Sequence, residues 1–83
     1  MNMLIKDKLI IYKNREYYVS IDSSRARMEI HKYKNNIELL YSYLIPDTNS
    51  LLNEIQNVIK MCYDTCFKLE DELNDVINWD GIM

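Results

Sequence analysis

The sequence is poor in the residues from which catalytic loops are built. Its 83 residues include one glycine, one proline, one alanine, one histidine and two cysteines. With the lone glycine at position 81 there is no glycine-rich phosphate loop, no dinucleotide fingerprint and no nucleophile elbow. A chain this short, with no convergent motif, has little from which to build a pocket, so a non-enzymatic protein without a cofactor is expected. No run of 18 apolar residues occurs, so no membrane-spanning helix is expected. The opening MNMLIKDKLIIYK breaks its apolar residues with Lys6, Asp7 and Lys8, unlike the unbroken apolar segment of a secretory signal. Two cysteines without such a signal imply free thiols in a reducing cytoplasm.

What is present describes one globular domain over residues 1–83, since hydrophobic residues make up 48% and charged residues 28% of the chain. Ile, Asn, Lys and Tyr supply 34 of the 83 residues, and all four have AT-rich codons. That usage suggests an AT-rich genome, a low-GC bacterium or its phage, so the expected cytoplasm is that of such a bacterium, or of the host cell if the protein is phage-encoded. Charge divides the chain in two. Residues 1–46 hold eight Lys/Arg against five Asp/Glu, a net of +3, whereas residues 47–83 hold two Lys against eight acids, a net of −6.

The first half, 1–46, reads as strands. KLIIYK (8–13) and EYYVSID (16–22) are rich in Ile, Tyr and Val and flank a two-residue turn at Asn14-Arg15. ARMEIHKY (26–33) alternates Ala26, Met28 and Ile30 with Arg27, Glu29 and His31, the period of a half-buried strand. IELLYSYLI (37–45) is apolar on both faces and is expected to be central or covered on both sides. Pro46 ends the extended run, and within the helical half, 47–80, DTNS (47–50) offers caps for a helix that ends near Trp79-Asp80. From there, apolar residues fall at 51, 55, 58, 62, 66, 69, 73 and 76, an arc of roughly 80° on one helix face. The predicted fold is therefore α+β. A four-stranded, mostly antiparallel sheet packs on one long C-terminal helix, with division into two helices near Asp64-Thr65 as the alternative.

Cys62 and Cys66 belong to that stripe, so they read as small core hydrophobes. The competing reading, metal or redox chemistry, would need ligands that the chain's single histidine cannot complete, or the C-x-x-C spacing of a redox pair. His31 shares its strand face with Arg27 and Glu29, so a Glu-His pair is conceivable, but a solvated strand face is the expectation.

Three surfaces carry the functional expectations. Asp64, Asp71 and Asp75 lie opposite the stripe with Glu72 beside it, and form an acidic face for a partner with a basic surface, if they do more than keep the chain soluble. Their charge near a helix C-terminus opposes the macrodipole. Leu52, Ile59, Tyr63, Phe67 and Ile77 flank the stripe, and with Trp79 form an apolar region for a partner or for a homodimer. A helix of about 30 residues is roughly 45 Å long and would overhang strands of roughly 20–27 Å. On the sheet, Tyr12, Tyr18, Arg25 and Arg27 could form a platform for single-stranded nucleic acid, although tyrosine suits strands in any case.

The strand-rich start KLIIYKNREYYVSI, the acidic DTCFKLEDELNDVINWD and the short length resemble, in outline, small acidic inhibitor proteins of phages and mobile elements, the anti-CRISPR type among them. That resemblance implies a protein that imitates nucleic acid with carboxylates and occupies a basic groove; the basic first half departs from the pattern. The expected function is binding, and inhibition, of a protein partner. A nucleic-acid-binding module is the alternative, and a dimeric assembly protein the third reading.

Overall fold

A computed structural model describes residues 4–47 and 50–83. Strands β1 (Leu4–Tyr12), β2 (Arg15–Asp22), β3 (Arg27–Tyr33) and β4 (Ile37–Leu44) are followed by helices α1 (Leu51–Cys66) and α2 (Lys68–Asn78). The strands pair antiparallel in sequence order, β1-β2-β3-β4. This is the predicted α+β architecture, with the helix divided. The division falls at Phe67 instead of Asp64-Thr65. Of the expected capping run, Ser50 is the N-cap and accepts from the Asn53 N–H at 3.2 Å; Thr48 and Asn49 lie outside the described residues.

The first hairpin turns at Lys13-Asn14, one residue earlier than expected. Both residues are left-handed, with φ of 54° and 61°, as a two-residue hairpin turn requires. The shift moves Arg15 out of the turn and pairs it with Tyr12 inside β2. Period-2 alternation then sends Tyr17, Val19 and Ile21 of β2 and Met28 and Ile30 of β3 to one face, where all five are buried. Against them α1 lays Val58, Ile59, Cys62 and Tyr63, with Phe67 after its end.

The fourth strand is an edge strand and not a central one, because a meander leaves its last strand with a single neighbour. Its double-sided apolar character is accordingly only half covered. Leu40, Tyr41 and Tyr43 are half-buried, and Leu39 and Leu44 are exposed. Tyr43 donates to Glu54 Oε2 at 3.0 Å and ties the strand to α1.

His31 also departs from expectation. It alternates away from the helices, yet only 3% of its surface is exposed. Pairing between β2 and β3 stops at Tyr18 and His31, whereas β3 and β4 pair on to Tyr33 and Ile37. The freed hairpin end bends back over the outer sheet face. There the Asn35 N–H donates to Asp7 Oδ2 at 3.1 Å, and the Asp7 N–H donates to Ser20 Oγ at 3.2 Å. Asp7 can make that contact because β1 has a register shift between Ile5 and Lys8 and Asp7 itself has φ of 53°.

The molecule measures 58 × 27 × 15 Å and has a radius of gyration of 15.4 Å. A compact chain of this length would have about 12 Å. The excess reflects α2, which continues beyond the sheet.

Candidate functional site

At Phe67 the backbone leaves helical geometry, with φ of −129° and ψ of −20°, while its N–H still bonds the Tyr63 carbonyl at 2.8 Å. The side chain explains the kink. The Phe67 ring is buried, edge-on to Tyr17 at 6.0 Å, and the Arg15 guanidinium lies 4.3 Å above its centroid. A side chain anchored in this way holds its residue at the sheet, at the point where helical geometry is interrupted.

Beside the kink, three side chains form a latch. Arg15 Nη2 donates to Asp71 Oδ1 at 2.8 Å, and the Tyr63 hydroxyl donates to Asp71 Oδ2 at 2.6 Å. Glu70 adds a longer ion pair to Arg15 at 3.5 Å. Tyr63 stands edge-on to Tyr12 at 5.5 Å, and Lys13 Nζ lies 5.8 Å from both ring centroids. The titrations reflect these contacts. The Tyr63 hydroxyl, followed by the Arg15 guanidinium, holds the Asp71 carboxyl below its ordinary range. The same Asp71 hydrogen bond, aided by burial, pushes the Tyr63 phenol up to about 12. The bond to Asp71 likewise raises Arg15.

The latch fixes how α2 is turned. On a wheel of about 100° per residue, Leu69, Leu73, Val76 and Ile77 span an arc of roughly 100°, and Asp71 lies roughly 170° from its centre. Fastening Asp71 to the β1–β2 turn therefore points the apolar arc away from it. Leu69 is 69% exposed, Leu73 54%, Val76 64% and Ile77 75%. Ten of the eleven residues of α2 are exposed, and Asp71 is half-buried. The continuous stripe expected to face the core thus ends at Cys66. Leu69, Leu73 and Val76 share its spacing but have no sheet beneath them.

The flanking set moves the other way. Ile59, Tyr63 and Phe67, expected on an exposed strip, are 2%, 7% and 8% exposed and belong to the core. Leu52 and Ile77 remain outside, and Trp79 is half exposed just past the end of α2. Among the acidic candidates, Asp64, Glu72 and Asp75 are exposed, but Asp71 is engaged by Arg15 and Tyr63. Asp75 opens onto a cavity of about 480 Å³ that it shares with Lys13, Arg15 and Asn74. Part of the acidic face is therefore met by the chain's own cations.

The four residues of the alternative platform are not gathered. Tyr12 is on the helix side, packed on Tyr63. Tyr18 is on the opposite face and donates to Glu16 at 3.1 Å. Arg25 sits in the β2–β3 turn, 3.7 Å from Asp22, and Arg27 begins β3. Cys62 is wholly buried and Cys66 half-buried, as core positions require. Burial first, and then the neighbouring Cys66, pushes the Cys62 thiol up to about 12, which keeps it protonated and a poor nucleophile at neutral pH.

No protein-family model, curated protein or solved structure matches this chain.

Proposed function

We propose that this is a non-enzymatic interaction protein whose α2 docks on a protein partner and, by occupying that partner's binding surface, blocks it. One observation carries the reading. A projecting helix exposes four large apolar residues on one arc, although its own domain offers them no cover. Stability does not ask for these residues there, since polar side chains would hold the same helix in water. A stripe at i, i+4, i+7 and i+8 is the form in which amphipathic helices enter grooves. Glu70 and Glu72 border the stripe, while Asp75 and Asp64 lie farther round, so the matching surface is an apolar groove with basic rims.

The test pairs a loss with a control. Full-length protein carrying Leu73→Asp and Val76→Asp should keep its far-UV circular dichroism and lose capture of a partner from host lysate, whereas Arg25→Ala with Arg27→Ala should retain it. Capture unaffected by the α2 substitutions would sink the proposal. So would a salt-sensitive single-strand mobility shift that depends on Arg25 and Arg27, which would favour the nucleic-acid reading instead.

A further inference from the structure

The molecule has a second uncovered apolar surface, and it is the complement of α2. Between the edge strand β1 and the first half of α1 lies an open groove of about 530 Å³. Ile10, Ile11, Leu52 and Ile55 line it, with Lys8 on the strand side and Lys60 on the helix side. Ile11 is 66% and Leu52 65% exposed, and both lysines are exposed. The groove is mostly apolar, with one lysine from each wall and no carboxylate in its lining. The stripe of α2 is apolar in the middle, with Glu70 on one border and Glu72 on the other.

We infer that the occupant of this groove is α2 of a second copy of the chain. The inference rests on the reading of α2 as a docking helix and names one of its partners. Charge favours this pairing over the helix-to-helix dimer that the sequence suggests. Residues 68–80 carry five acids and one lysine, so two α2 helices set side by side would place carboxylate against carboxylate. The groove instead offers this acidic helix two lysines and no carboxylate. Length agrees as well, since the eleven residues of α2 extend about 16 Å and the helical wall from Leu52 to Lys60 about 12 Å. The chain's own α2 is turned outward by the Arg15–Asp71 latch. Exchange between two copies, each giving a helix and receiving one, uses both surfaces twice and closes the assembly about a two-fold axis. Self-association and capture of a different protein would then compete for the same stripe.

Complementation tests the exchange in full-length protein. The groove variant is Leu52→Asp with Lys60→Glu; the helix variant is Leu73→Asp with Val76→Asp. All four substituted positions are exposed, so folding can be verified by circular dichroism. In sedimentation equilibrium at micromolar concentration the wild type should be a dimer. Each variant alone should be a monomer, with dimerisation weakened more than tenfold. An equimolar mixture should recover dimer, weaker than the wild type, because one of the two helix–groove contacts is restored. A groove variant that still dimerises overturns the inference in favour of another interface, and so does a mixture that stays monomeric. A wild type that is monomeric throughout also overturns it. If the helix variant nevertheless loses a lysate partner, α2 remains a docking helix for another protein; if it loses nothing, both readings fall.

Discussion

Phe67 and Leu73 exchange roles between the periodic pattern and the folded chain, and their truncations should differ accordingly. A straight helix through residue 76 would bury Leu73 and leave Phe67 at the flank. With the kink, Phe67 is 8% and Leu73 54% exposed. Phe67→Ala removes a ring held between Tyr17 and the Arg15 guanidinium, and a buried Phe→Ala change costs about 3–5 kcal/mol. The cation above the ring accounts for about 1 kcal/mol of that kind of loss. For 83 residues the whole folding free energy is about 4–12 kcal/mol. The variant should therefore be close to unfolding, and Phe67→Asp, which adds a buried charge, should not fold at all. Leu73→Ala should change stability by no more than about 0.5 kcal/mol, as exposed substitutions do. Urea titration followed at 222 nm measures both. With slopes of about 1–3 kcal/mol per M, the Phe67→Ala midpoint should fall by more than about 1 M while that of Leu73→Ala hardly moves. Equal losses, or a larger loss at Leu73, would mean that the helix runs on and that its stripe is covered; the kink argument would then be wrong.

Two further predictions concern titrating groups. Because Asp71 has a folded-state pKa below its unfolded value, its contribution is fully present above the unfolded carboxylate value of about 3.9 and is lost as pH falls through the depressed one. Asp71→Asn should therefore flatten the acid limb of stability below about pH 4, leaving a residual slope from Asp22, which the Ser24 hydroxyl also depresses; identical limbs in urea titrations from pH 5 to 2 would refute the latch. The Cys62 thiol, buried and pushed up to about 12, should react with an aromatic disulfide reagent only at the rate of global unfolding. Cys62→Ala should cost on the order of 1 kcal/mol, and fast labelling of Cys62 in the native state would show that the core is open there.

The elements themselves were legible because their periods are local. Alternation marked the strands, and the 3.6-residue period marked the helices. What periodicity reports is which residues share a face, not what covers that face. Leu69, Leu73 and Val76 continue the stripe of Val58 and Cys62 without a slip, so nothing in the pattern distinguishes a covered arc from a projecting one. The kink depends on Arg15 reaching Phe67 and Asp71, an encounter across 56 positions in the case of Asp71. Assigning Arg15 to the turn hid it. The return of the second hairpin end toward β1 was hidden in the same way, since it depends on Asn35 meeting Asp7 from 28 positions away. A signal was present in both cases: Lys6-Asp7-Lys8 interrupts the apolar strand where the register shift occurs, and Asn14 is a residue suited to left-handed backbone.

The kink also changes what the acidic residues signify. In one long helix, Glu70, Asp71 and Glu72 approach the C-terminal end and oppose the macrodipole, which makes them look like a functional sacrifice of stability. Once α2 begins at Lys68, Glu70 and Asp71 stand in its first turn, where negative charge is favourable by about 0.3–1 kcal/mol per group. Asp71 contributes again by gripping Arg15 and Tyr63. Much of the acidity therefore follows from building a second helix and fastening it, and needs no partner to account for it. The apolar arc has no such account. Leu69, Leu73, Val76 and Ile77 neither cap, latch nor pack on the domain that carries them, and together they form a patch that water disfavours. Between the carboxylates and the apolar arc, it is thus the arc that the fold itself leaves unexplained.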